Sequence, residues 1–85
     1  MPRMIATHTV KNAAHWKAYD AERAELFAPF ASDVVSYVDP DTGSTVALSF
    51  TLVDAKGLEN FMSSVAGAEA MERHGVIQPV VLLLA

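Results

Sequence analysis

The chain has 85 residues, with ten acidic and six basic side chains for a net charge of −4, and 52% of it is apolar. That length makes one folding unit, too apolar to be disordered. Its scattered cations do not make a broad nucleic-acid surface, which needs clustered Lys and Arg. The absence of cysteine excludes disulfides, iron–sulfur clusters, cysteine-rich zinc sites and thiol catalysis.

The opening stretch, MPRMIATHTVKN, contains no apolar core of secretory length, and the longest purely apolar run, Val80–Ala85, is far too short for a membrane span. The expectation is a soluble cytoplasmic protein with no membrane contact. A chain this small buries only roughly 60–65% of its extended surface, so pairing with a second copy is a natural source of stability.

Met4 to Val10 reads as a strand whose even positions, Met4, Ala6, His8 and Val10, form the more apolar face. Asn12 suits a helix N-cap. From Ala13 to about Phe27 the pattern turns helical, with Trp16, Tyr19, Arg23, Leu26 and Phe27 on one stripe, until Pro29 ends it. Asp33–Val38 is a second strand. The Asp39–Gly43 turn leads into a third, in which Val46, Leu48, Phe50 and Leu52 alternate with Thr45, Ala47, Ser49 and Thr51. A loop this short makes those two strands an antiparallel hairpin. Asp54 caps a second helix with a stripe of Leu58, Phe61, Met62, Val65, Ala68 and Met71, ending at Arg73, His74 and Gly75. A fourth strand, apolar on both faces, follows Pro79.

The order β-α-β-β-α-β predicts an α+β fold, a ferredoxin-like sandwich in which a four-stranded antiparallel sheet carries two helices on one face. Strands one and three lie in the middle and two and four at the edges. An edge strand reading Val-Val-Leu-Leu-Leu has no charge to discourage pairing, and the uncovered face is flat enough for another sheet. Both features predict a homodimer.

The sequence resembles the dimeric α+β-barrel superfamily, which includes antibiotic-biosynthesis monooxygenases, heme-degrading monooxygenases and muconolactone isomerases. The likeness is carried by Thr7-His8-Thr9-Val10-Lys11-Asn12 running into His15-Trp16-Lys17-Ala18-Tyr19-Asp20, by the Val46–Val53 strand leading to Asp54, and by Ala70-Met71-Glu72-Arg73-His74-Gly75-Val76. It implies two subunits whose sheets meet in a barrel, with a ligand cavity in each between sheet and helices. Its heme-degrading and quinone-forming members use an Asn, a Trp on the second helix and often a His. Here that helix has Asn60 and His74 but no Trp, and Ser64 lies one turn beyond Asn60. That catalytic set is therefore not carried over.

His8 is the candidate acid/base, since an imidazole on the apolar face of strand one is easily moved across neutrality. The competing account is a core histidine paired with a carbonyl or hydroxyl. Trp16, Tyr19 and Arg23, with Phe61 and His74 on the second helix, are the candidate ligand-binding residues. The aromatics would form a wall and Arg23 the cation for a planar anionic or phenolic ligand. Ordinary packing also accounts for the aromatics, pairing with Asp20 for Arg23, and the helix dipole for His74. His15 flanks the stripe and faces solvent.

No histidine spacing suits a metal, no serine stands in a nucleophile-elbow context, and the glycines are too far apart to cradle phosphate. No cofactor signature is present. Two functions follow. One is a monooxygenase- or isomerase-like enzyme, cofactor-independent or heme-linked, acting on an aromatic or polyketide-like molecule. The other is a small-molecule-binding or regulatory module without chemistry. An RNA-binding sheet would need exposed aromatics and cations, which the third strand lacks.

Overall fold

A computed structural model describes residues 2–85 of the chain. Its elements are β1 (Arg3–Val10), α1 (Ala13–Ala18), α2 (Asp20–Phe27), β2 (Ala31–Val38), β3 (Thr45–Leu52), α3 (Ala55–Met62), α4 (Val65–Arg73) and β4 (Val76–Leu84). The strands form one antiparallel sheet in the order β2-β3-β1-β4, the expected ferredoxin-like arrangement. No helix among the described residues is long and apolar enough to cross a membrane.

The sheet has two distinct faces because strand side chains alternate. Val46, Leu48, Phe50 and Leu52 of β3 and Ala6, His8 and Val10 of β1 are all buried, as their parity predicts. Trp16, Phe30 and Leu58 join them to complete the core. On the other face the register aligns Leu83, Ile5, Ser49 and Val35 in one row and Val81, Thr7, Ala47 and Tyr37 in the next. Ile5, Val35, Tyr37, Val81 and Leu83 are exposed there. That face is more apolar than β3 alone suggests.

The strands outrun their predicted limits. β2 begins at Ala31 rather than Asp33, with its register shifted between Ser32 and Val35. Asp33, at the bulge, has φ 54°, a left-handed conformation that Asp tolerates better than most residues. β4 begins at Val76, three residues before Pro79. An edge strand admits proline because one side of its backbone pairs with nothing in the sheet, and the β1–β4 register shifts at that point, between Thr7 and Thr9.

The two expected helices are each broken into two segments. The first breaks at Tyr19, where the backbone leaves helical geometry and its N–H bonds to Trp16 O, three residues back, at 3.1 Å. The second breaks at Ser63 and Ser64. Ser64 Oγ donates to Phe61 O at 2.6 Å and accepts the N–H of Gly67 at 3.0 Å, so it closes α3 and caps α4 together. This break resets the helical phase. Leu58, Phe61 and Met62 face inward from α3, but α4 turns Gly67, Ala70 and His74 to the core. Val65, expected on the buried stripe, is 75% exposed, and Ala68 is exposed as well.

Candidate functional site

Between the helical layer and the buried sheet face lies a cavity of about 60 Å³. Most of its wall is apolar, with Leu48 and Phe50 from the sheet and Phe27, Phe61 and Met62 from the helices. His8, Trp16, Arg23 and His74 are its principal polar or polarisable elements. Five of the six candidate site residues therefore meet in one place: His8, Trp16, Arg23, Phe61 and His74. Tyr19 does not line the cavity. It stacks on His74, with ring centroids 4.6 Å apart, and packs edge-on against His15.

His8 reaches the cavity because β1 turns its even positions inward, with Ala6 two residues away offering no bulk. Its imidazole packs edge-on against Trp16, at 5.9 Å between centroids. Both ring nitrogens are buried without a hydrogen-bond partner among the described residues. A neutral imidazole has one N–H to donate and one lone pair to offer, and leaving both unmet costs free energy. Burial, reinforced by the positive charge of Arg23, lowers the His8 pKa to about 4. The ring is thus neutral at pH 7, with its basic lone pair free.

Arg23 is occupied. Its Nη1 donates to Asp20 Oδ1 at 2.8 Å and its Nη2 to Trp16 O at 2.6 Å, while the guanidinium lies 3.9 Å from the Trp16 ring centroid. Trp16 O lies in the last turn of α1, where it already accepts the Tyr19 N–H, and the guanidinium is its second donor. The ion pair that the sequence allows thus forms, and Arg23 also ties α2 to the end of α1. It presents charge to the cavity while its fork is engaged elsewhere.

His74, at the C-cap of α4, is buried and donates its Nε2–H to Glu22 Oε1 at 3.3 Å. The same carboxylate oxygen accepts Arg73 Nε at 3.0 Å and pairs with Arg73 Nη2. A carboxylate only accepts, so it fixes the proton of neutral His74 on Nε2. Burial nevertheless lowers its pKa, outweighing the pull of Glu22. His15 is exposed, as expected, and donates Nε2–H to Arg73 O at 2.8 Å.

A second, more open pocket of about 470 Å³ lies beside the first, lined by Met4, Leu52, Ala55 and Glu59 among others. Leu58, Met62 and Leu82 line both spaces and so form the partition between them. In the sequence Met62 falls on the packing stripe of the second helix and is not among the candidate site residues. Its position, on the stripe and next to the Ser63–Ser64 pair, was the available signal. Among the described residues no group of three or more His, Asp or Glu could hold a metal ion.

No protein-family model matches the chain, and no curated protein matches it. Solved structures do. A Bordetella bronchiseptica protein assigned by name to the antibiotic biosynthesis monooxygenases is 16% identical, superposes with a TM-score of 0.74, and the match covers 99% of this chain and 93% of that one. SnoaB from Streptomyces nogalater, described as a cofactor-independent oxygenase, is 13% identical with a TM-score of 0.72, over 99% and 91% of the two chains. A Deinococcus radiodurans protein assigned like the first is 10% identical with a TM-score of 0.66, over 100% and 90%. The chain therefore has the ferredoxin-like fold of antibiotic-biosynthesis-monooxygenase-type proteins.

Proposed function

We propose that the chain is a monooxygenase- or isomerase-like enzyme that takes an aromatic or polyketide-like small molecule into the cavity and removes a proton from it with His8. The observation that carries this reading is the His8 ring, buried at the cavity wall with both nitrogens unpartnered. A ligand hydroxyl or enol satisfies both its needs, and an acidic C–H or O–H there meets a neutral base. The positive charge of Arg23, which disfavours imidazolium, favours the enolate or phenolate that forms. Reprotonation of that anion at another carbon is an isomerisation. Its reaction with dioxygen is an oxygenation in which R–H and O₂ give R–OOH, the His8 proton returning to the peroxide.

The resemblance allows a heme-linked version, but the macrocycle is far larger than a cavity of about 60 Å³. The residues present do not fit heme. Trp16, Phe61 and His74 are assigned to ligand contact, and Tyr19 to holding His74 from behind. Two copies joined through the bare sheet face and β4 complete the proposal, since that face exposes Ile5, Val35 and Leu83 in line.

A binding module without turnover is the second reading, favoured by the same pKa of about 4, which makes His8 a weak base. Deuterium uptake from D₂O by phenols and β-diketones separates the two. The enzyme reading expects wild-type protein to accelerate exchange at activated C–H positions, and His8→Ala and His8→Phe to lose the acceleration. Ligand binding without accelerated exchange leaves the binding module in its place.

A further inference from the structure

We propose that Met62 sets the size of ligand admitted to the His8 cavity, and that the cavity as it stands takes a single-ring phenol or enol. The inference rests on reading the His8 cavity as the binding site. On the same measure, about 10–15 Å³ holds one water, so about 60 Å³ holds about four to six waters, whose liquid volume of about 30 Å³ each matches one six-membered ring with its hydroxyl. The apolar wall suits the ring, and the unpartnered His8 nitrogens suit the hydroxyl. A second fused ring has no room unless the partition opens toward the outer pocket.

Of the three partition residues, Leu58 is held in the core at 5% exposure, and Leu82 is 45% exposed but branched, with its backbone held by the β1–β4 ladder opposite Ala6. Met62 is only partly buried, ends α3, and is followed by the Ser63–Ser64 break. An unbranched thioether changes rotamer more readily than a branched side chain, so Met62 is the movable member. Truncating it joins the inner cavity to an outer space of about 470 Å³.

The test uses isothermal titration with phenol and 5,6,7,8-tetrahydro-2-naphthol, which share the phenol group and differ by one ring. Wild type is expected to bind phenol at least about tenfold more tightly, the discrimination a tight apolar pocket supplies. Met62→Ala should remove or invert that preference, whereas Met62→Leu, which conserves volume, should keep it. Met62→Val carries the test if the alanine variant fails to fold. Equal binding of both probes to wild type overturns the inference, as does a preference that survives truncation or a failure of phenol to bind wild type. His8→Phe keeps the two readings apart. If it accelerates deuterium exchange like wild type while the size preference still follows Met62, the base reading fails and the size inference stands.

Discussion

His8 combines two properties that rarely coexist in a settled core: burial of both ring nitrogens and no hydrogen bond to them among the described residues. Its folded pKa of about 4 lies below the ordinary 6.5, so the unfolded chain binds the proton more readily. Stability from this group is therefore complete above about pH 6.5 and falls as the pH drops toward 4, by about 3 kcal/mol for the whole shift. Urea unfolding between pH 4 and 7 should show this slope for wild type and a flatter one for His8→Phe. Arg23→Met should raise the His8 pKa by removing the neighbouring charge, which an NMR titration of the imidazole would read. The same substitution should cost about 1 kcal/mol, because the charged bonds to Asp20 and Trp16 O are lost while Trp16 O keeps the Tyr19 N–H. The sequence exposed His8 through strand parity and Arg23 through its place on an apolar stripe. It could not show that Arg23 is spent on Trp16 O, because that bond depends on the break at Tyr19.

At the scale of elements, the joint between α3 and α4 places Phe61, Met62 and His74 around the cavity. Ser64→Ala should destabilise the protein by about 1 kcal/mol through loss of the α4 cap, while Ser63→Ala, an exposed hydroxyl bonded back to Glu59 O, should be nearly neutral in urea unfolding. A β-carbon on Gly67 would stand 2.0 Å from Phe61 O, a backbone atom that cannot swing aside. Gly67→Ala is expected to cost about 1–3 kcal/mol despite alanine's better helix propensity, and melting curves would show it. The strands were legible because a period of two is unambiguous in Val46–Leu52. The helical phase was legible only as far as Met62. Beyond it a continuous 3.6 period predicts Val65 inside, whereas Ser64 restarts the helix and turns Ala70 and His74 inward. The Ser-Ser pair was the visible sign, but serine inside a helical pattern does not by itself distinguish a cap from a solvent-facing position.

For the whole molecule, the issue is what covers the sheet. β4 leaves Val81, Leu82, Leu83 and Leu84 each at least 45% exposed, beside an apolar bare face. Sedimentation of wild type is expected to give the mass of two chains. Val81→Lys with Leu83→Lys, on exposed positions of one face, should shift it to one chain without loss of circular dichroism; a wild-type monomer would remove the dimer from the proposal. The order of elements foretold the sheet topology, because crossover rules leave few alternatives. The cavity's size was illegible, since it depends on how far the joints at Tyr19 and Ser63–Ser64 let the helices settle onto the sheet.

Trp16 is the chain's sole tryptophan, fully buried at the cavity wall, with the His8 ring at its edge and the Arg23 guanidinium over its face. Its emission therefore comes from one environment, and that environment is the candidate site. Excited indole is quenched far more by imidazolium than by imidazole, so the intrinsic fluorescence of the unlabelled protein becomes a gauge of His8 protonation. Anything that enters the cavity comes to rest beside the one chromophore able to announce it.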